Sequence, residues 1–321
     1  GLMARFDLTT FGEGVLRLSV AAGQRIETAT TFDVNVSGTE ANIAGALSRL
    51  GWRCGWVSAL PDTPPGRRVI NAYRSHNIDL SAVVMRSEGR VSCYYVEYAN
   101  PPRPIKIYYD RENSCLTQMP PEDVDWDYLL DTRHLHMSGL TVPLSDYTEA
   151  IISQALEKAR NKGVTTSFDI NYRKLLWPEA KAREKLLSLA AEVDILFCGR
   201  RDAEKVLGCE GEPEQIIQQL AEMTNARNIV VSLSSEGVIG WDGKDYYRED
   251  AKKVWIIDRI GAGDAMVAGI LHGWMNESLA QGLKYGVVMA ALALSQVGDV
   301  VITHSHELVS LLDGDAVDIV R

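Results

Sequence analysis

From about residue 130 the chain repeats one unit, a short apolar strand followed by a helix. The strand-like runs are Thr132–Ser138, Val164–Ile170, Val193–Cys198 and Asn228–Leu233, and the helical stretches are Ser145–Lys162, Glu179–Glu192, Arg200–Leu207 and Pro213–Thr224. Ile195–Cys198 and Ile229–Leu233 are nearly unbroken apolar runs, the pattern of strands covered on both faces rather than on one. Parallel neighbours need a crossover, and a helix supplies it. The repeat therefore commits this part of the chain to an α/β fold with a doubly wound, mostly parallel sheet flanked by helices.

The N-terminal part reads differently. Val15–Val20, Thr31–Val36, Val91–Tyr98 and Ile105–Tyr109 look like strands with no helix between partners, and Asn100-Pro-Pro-Arg-Pro104 is a turn-forming break. These segments predict a small separate β-sheet, a lid over the main sheet. No long linker, internal repeat or low-complexity segment divides the 321 residues, so one domain with an inserted sheet is expected rather than two domains.

Composition excludes several classes. With 46% hydrophobic and 24% charged residues the chain is an ordinary globular one, and its net charge of −10 argues against nucleic acid as a partner, because phosphate contacts need clustered Lys and Arg. The longest charge-free stretch, Tyr285–Gly298, is shorter than the roughly 20 residues of a membrane span and reads as a buried helix. Five cysteines without a C-x-x-C pair read as reduced and structural, and a cytoplasmic location is expected. The pairs His134/His136 and His304/His306 have metal-like spacing, but no Cys or carboxylate cluster nearby completes a zinc set, so ordinary strand or surface histidines are expected.

The segment richest in chemistry is Asp258-Arg-Ile-Gly261-Ala262-Gly263-Asp264, between a strand-like Val254–Ile257 and a helix with apolar Val267, Ile270, Leu271 and Trp274 on one face. Gly261 and Gly263 permit a tight turn and close approach of a ligand. The free N–H groups of the helix start make an anion site, and Asp264 stands where a carboxylate can take a proton from an attacking hydroxyl. Taken alone, G-x-G-D also reads as a glycine turn with an Asp cap. It is neither a dinucleotide fingerprint nor a Walker loop, and no G-x-G-x-x-G elsewhere supports an NAD-dependent dehydrogenase.

Asp258–Asp264 resembles the D-T-x-G-A-G-D signature of the ribokinase-like (PfkB) carbohydrate kinases, with Arg259 in place of Thr. Ser37-Gly38-Thr-Glu-Ala-Asn42-Ile-Ala44-Gly-Ala-Leu47-Ser-Arg-Leu50-Gly51 resembles that family's N-terminal signature, with Ser37 replacing its first Gly. The resemblance implies a Rossmann-like kinase domain over residues 7–304, lid strands drawn from about 12–36 and 88–112, and a C-terminal extension over 305–321. It also implies ATP and Mg²⁺, leaves a monovalent cation such as K⁺ open, and suggests a homo-oligomer formed through the lid. By position, Asp264 becomes the general base and the backbone of Gly261, Ala262 and Gly263 the anion hole for the γ-phosphate.

Within that family, Asp169-Ile-Asn171-Tyr172-Arg173-Lys-Leu-Leu176-Trp177 resembles the D-x-N-Y-R-x-x-L-W stretch of 2-keto-3-deoxygluconate kinases, and Tyr109-Asp-Arg111-Glu-Asn-Ser114 their Y-x-R-x-x-S segment. Arg111 and Arg173, from two segments, suit a carboxylate on the acceptor. The resemblance adds Asn171, Tyr94 and Tyr109 around the sugar, with Gly38 and Asn42 contacting its hydroxyls and backbone. Surface pairing of Arg173 and lid packing of the two tyrosines are the plainer readings, while Tyr172 and Trp177 are expected to pack. Arg17 stands where many fructokinases carry Asp; it favours an acid sugar or is a charge on the lid surface.

The nucleotide side departs from the family pattern. Gly199-Arg-Arg-Asp202 replaces N-x-x-E, leaving Asp202 as the acid that organises Mg²⁺ indirectly. Ser232, Ser234 and Gly237 replace the usual nucleotide strand end, and Val287 occupies the place of a frequent Asn near the adenine. The expected activity is transfer of the γ-phosphate of ATP to 2-keto-3-deoxygluconate or a similar sugar acid. The alternatives are a fructokinase or another sugar or nucleoside kinase of the family, and a non-catalytic sensor that kept the fold.

Overall fold

The computed structural model describes residues 3–313 and Arg321. Its strands are β1 (Phe6–Phe11), β2 (Val15–Val20), β3 (Asp33–Ser37), β4 (Cys54–Val57), β5 (Ala59–Pro61), β6 (Val84–Arg86), β7 (Cys93–Glu97), β8 (Lys106–Asp110), β9 (Thr132–Ser138), β10 (Thr165–Asp169), β11 (Ile195–Gly199), β12 (Asn228–Ser232), β13 (Val238–Trp241) and β14 (Tyr246–Glu249). Eight form the main sheet in the order β14-β13-β12-β11-β10-β9-β1-β4. All pairs from β12 to β4 are parallel, and β13 and β14 close one edge as antiparallel strands.

The unbroken apolar runs have the two-sided burial expected of them. In β11, Leu196 and Cys198 join the core on one face while Ile195 and Phe197 join the core on the other; β12 divides Ile229 and Val231 from Val230 in the same way. The first core is covered by helices Asp146–Lys162, Glu179–Leu189 and Pro213–Thr224. The second is covered by Thr39–Arg49, Pro64–Arg74, Ala262–Asn276 and Leu279–Leu294.

A separate four-stranded sheet, β3-β2-β7-β8, stands beside the main one. Here the structure corrects the sequence reading. β2 and β7 pair in parallel, and helices Thr39–Arg49 and Pro64–Arg74 lie in the connection between them. A parallel pair requires such a crossover. Val254–Ile257 is also not a strand. Its backbone is irregular, Trp255 is 86% exposed, and Ile257 N–H donates to Leu294 O of the neighbouring helix at 2.7 Å in place of a ladder. The charge-free stretch Tyr285–Gly298 forms the C-terminal part of the helix Leu279–Leu294 and the short loop after it. Of the expected C-terminal extension, Ser305–Leu312 is a helix packed on that helix, and positions 314–320 lie outside the described residues.

The helix that begins within the C-terminal signature packs closely against the next one. Gly269 and Gly273 of Ala262–Asn276 face Gly282 and Gly286 of Leu279–Leu294 so closely that a Cβ on Gly273 would lie 2.5 Å from the Gly282 backbone. Alanine there gains about 1 kcal/mol of helix propensity, but a backbone wall cannot yield as a side chain can. Gly273→Ala should therefore be net destabilising, by about 1–3 kcal/mol in urea unfolding. A gain in stability would show that the helices can part without cost.

Candidate active site

The site forms beyond the C-terminal ends of β1, β9, β10, β11 and β12, where open α/β sheets collect ligands. The helix Ala262–Asn276 starts there. Gly261 takes φ 95°, a left-handed conformation that suits glycine, and a Cβ on it would sit 2.7 Å from Asp299 O. The first intrahelical bond runs from Ala265 N–H to Gly261 O at 2.9 Å. The N–H groups of Ala262, Gly263 and Asp264 are thus left without helical partners, and they carry the positive end of the helix dipole.

Asp264 lies in the first turn of that helix. Thr39 Oγ1 donates to its Oδ1, and Asn42 Nδ2 donates to its Oδ2 at 3.1 Å and to Asp299 Oδ2 at 3.2 Å. Tyr73 OH fixes the amide by donating to Asn42 Oδ1 at 3.0 Å. Burial raises the Asp264 carboxyl to about 6, against the lowering effect of the Thr39 and Asn42 hydrogen bonds. It is charged at neutral pH yet close enough to neutrality to accept a proton.

Three cavities meet at Gly263. The first, about 280 Å³, is walled by the lid residues Tyr94, Tyr109 and Arg111 and by Gly38, Arg173 and Asp264. A smaller one of about 210 Å³ lies behind it, lined by Asp169, Asn171, Arg173, Asp202, Ser232 and Asp264. The third, about 570 Å³, is lined by Ser232, Ser234, Lys252, Lys253, Val287 and Gly263. A carboxylate base, a helix N-terminus and arginines from separate segments thus converge between a lid-covered pocket and a larger cleft. Residues 6–304 match the pfkB family of carbohydrate kinases.

The chain belongs to the pfkB carbohydrate kinase family. It is 34% identical over 309 residues to a 2-dehydro-3-deoxygalactonokinase of Haloferax volcanii, covering 96% of this chain and 97% of that one. It is 29% identical to a 2-dehydro-3-deoxygluconokinase of Thermoproteus tenax, covering 92% and 90%. The crystal structure of a 2-dehydro-3-deoxygluconokinase from Thermotoga maritima superimposes with a TM-score of 0.90 at 29% identity, covering 98% of this chain and 100% of that one.

Against this pfkB frame, the candidate residues separate. Tyr94 is buried, shares a 2.9 Å hydrogen bond with Ser37 Oγ, and meets Tyr109 edge to face at 6.1 Å. Gly38 is small because a Cβ would stand 2.5 Å from Glu13 O. Asn171, at φ 38°, donates to Ser138 Oγ at 3.1 Å and faces the second cavity rather than the first. Asn42 lines none of the three; its amide is committed to Asp264 and Asp299. Gly237 is also apart, a turn at φ 99° pressed against Glu249 O. Asp202 accepts from Tyr172 N–H at 3.1 Å, and burial raises its carboxyl. Tyr172 and Trp177 pack together, the tyrosine OH donating to Trp177 O at 2.6 Å.

Two charges differ from the sequence reading. Arg17 neither faces the pocket nor lies on the lid surface. It is 1% exposed, with NH2 2.9 Å from Asp258 Oδ2 and NH1 3.4 Å from Asp299 Oδ1. Arg111 reaches the pocket already paired, its Nε and NH2 donating to Glu13 Oε1 at 3.1 and 3.0 Å. His134 and His136 are buried on β9, hydrogen-bonded to Ser167, and burial pushes both rings down to about 3. Among the described residues no group of three or more His, Cys, Asp or Glu is placed to hold a metal ion.

Sequence reasoning missed Thr39, Glu40, Asp169 and Asp299. Asp169 and Thr39 lay inside motifs already singled out. Asp299 carried no local signal, because a loop far along the chain delivers it. Glu40 accepts from Thr141 Oγ1 at 2.8 Å, and burial raises its carboxyl to about 8, so it lines the pocket as a neutral acid at pH 7. Removing the cation from the Arg17 cluster strands two buried carboxylates. Arg17→Ala should cost about 3–5 kcal/mol in chemical denaturation, and an unchanged midpoint would show that the two acids find other partners.

Proposed function

We propose that this protein transfers the γ-phosphate of ATP to a hydroxyl of a keto-deoxy aldonic acid, of the 2-keto-3-deoxygluconate class. The observation that carries the reading is the convergence on one lid-covered pocket of Asp264, the open helix start at Gly261–Gly263 and two arginines, Arg111 and Arg173. The relatives named above act on two such acids that differ in sugar configuration, which supports the acid class rather than one epimer.

In this reading the sugar lies under Tyr94 and Tyr109, with Gly38 allowing close approach and Arg111 and Arg173 facing its carboxylate. Asp264 takes the proton from the attacking hydroxyl, while Thr39 and Asn42 hold the carboxylate in position. The N–H groups of Ala262 and Gly263 face the charge developing on the transferring phosphoryl group. The nucleotide occupies the cleft of Ser232, Ser234, Lys252, Lys253 and Val287; Gly237 shapes the turn beside it.

The oxygen-rich second cavity fits a hard cation. Asp202, with Asp169 beside it, would hold Mg²⁺ through one or two carboxylates, the rest of its shell coming from phosphates and water. When bound, Mg²⁺ neutralises phosphate oxygens. A monovalent cation such as K⁺ belongs to the same reading. So does a dimer through the lid, whose strand face exposes Val34 and Tyr108. The five unpaired cysteines are in keeping with a reducing cytoplasm.

A panel of sugars in an ATP-consumption assay tests the acceptor class. Turnover of keto-deoxy aldonic acids is expected, and efficient turnover of neutral ketoses with none of any acid would refute the reading. Asp264→Asn should lower kcat by about 10²–10⁴-fold while leaving sugar binding intact. Protonation of Asp264 removes the base, so kcat/KM should fall about tenfold per pH unit below about 6. Arg173→Ala should weaken calorimetric binding of the sugar acid by about 10–100-fold and of ATP much less; equal losses would argue against a carboxylate contact.

A further inference from the structure

Arg259 is the residue by which this chain departs from the signature it otherwise follows, and its setting is unusual. The backbone on both sides is clamped. Asp258 is 4% exposed and accepts from Arg17 at 2.9 Å, Tyr98 OH at 2.8 Å, Ile260 N–H at 3.1 Å and Gly298 N–H at 3.4 Å. On the other side, Gly261 is pressed against Asp299. The Arg259 side chain is exposed, and among the described residues it makes no hydrogen bond or ion pair. It lines the sugar pocket and also the nucleotide cleft.

The chemistry of the reaction needs a cation there. The net charge of the chain is −10, and both proposed substrates are anions. Of the pocket's other arginines, Arg111 is ion-paired to Glu13, and Arg173 is turned towards the cavity of Asp169 and Asp202 as well as the sugar pocket. A helix N-terminus supplies only about half a charge. During transfer the phosphoryl group spreads negative charge over its equatorial oxygens, and a permanently charged planar fork is the group that meets such charge best.

We infer that Arg259 is a catalytic residue that reaches across the junction of the two cavities and pairs with the phosphoryl group in transit. This rests on the kinase reading above. Its backbone is fixed and its side chain is unpartnered, so it can follow the phosphoryl group without moving the anion hole.

The test uses the full chain and two variants, Arg259→Thr, which restores the family signature, and Arg259→Lys. Wild type and variants are compared in steady-state kinetics with an acceptor that wild type turns over, acid or neutral. Calorimetry then measures affinity for ADP alone, and for ADP with aluminium fluoride and acceptor, a mimic of the phosphoryl group in flight. Arg259→Thr should lower kcat by about 100-fold or more with acceptor KM changed by less than about 3-fold. It should weaken the aluminium fluoride complex by a similar factor while leaving ADP affinity and the thermal midpoint unchanged. Arg259→Lys should recover part of the rate, because it keeps the charge and loses the fork. A retained kcat overturns the inference, as does a loss confined to the KM of the acid acceptor, which would place Arg259 on the substrate carboxylate. Equal weakening of ADP and its aluminium fluoride complex also overturns it, making Arg259 part of the nucleotide seat. If wild type phosphorylates only a neutral ketose, the acid-acceptor reading falls while the comparison of variants still decides the role of Arg259. If wild type transfers phosphate to no acceptor, both fall.

Discussion

One buried guanidinium joins the parts of this molecule that must meet for it to work. Arg17 comes from strand β2 of the small sheet, Asp258 from the approach to the helix Ala262–Asn276, and Asp299 from the loop after the last long helix. Neither carboxylate can be buried alone, and the cation cannot be buried without them. Ser37 of β3 and Asn42 of the first helix also donate to Asp299, so the cluster ties lid, turn and helix face into one arrangement. Its geometry carries over to the chemistry because Asn42 divides its amide between Asp299 and Asp264. The position of the candidate base is thus set by a charge network that is almost wholly buried.

The two sheets have different tasks, and their burial reflects it. The main sheet is covered on both faces and presents only its C-terminal edge to ligands, which makes it a rigid platform. The lid is thinner. Its inner side contributes Tyr94, Tyr109 and Arg111, and its outer side remains partly exposed. A platform that carries the candidate base and the open helix start, with a separate small sheet walling the pocket, lets each side be shaped independently.

The overall acidity of the chain and the anionic character of both proposed substrates are reconciled locally. Burial raises the carboxyls of Glu40 to about 8 and Asp169 to about 7, which reduces the negative charge facing the ligands at neutral pH. Glu13 also lines the pocket, where it accepts hydrogen bonds from Arg111, Ser92 and Ser114. The acids of the wall are then partly protonated or paired, and the cations there are not set against the net charge of the whole chain.

Much of this was legible in one dimension, because parallel strands buried on both faces must be apolar throughout and must alternate with crossover helices. The glycine turn before Asp264 was legible for a similar reason: close approach to backbone and ligand demands glycine whatever the rest of the fold. Tyr94, Tyr109, Arg111 and Arg173 carried signals as parts of compact motifs. The roles of Arg17, Asn42 and Asp299 did not. Arg17 and Asn42 read toward the acceptor and Asp299 stands in no motif, because whether a polar residue faces solvent, a ligand or a buried partner depends on which distant segment packs against it. Val254–Ile257 erred in the opposite direction, since a β-branched run becomes a strand only where a neighbouring edge offers its hydrogen bonds. The amino-acid sequence by itself determined the layered α/β architecture and the chemical groups available. Tertiary structure alone decided which charges are buried together, because the desolvation that makes a pairing obligatory exists only once the lid, the turn and the C-terminal loop have come into contact.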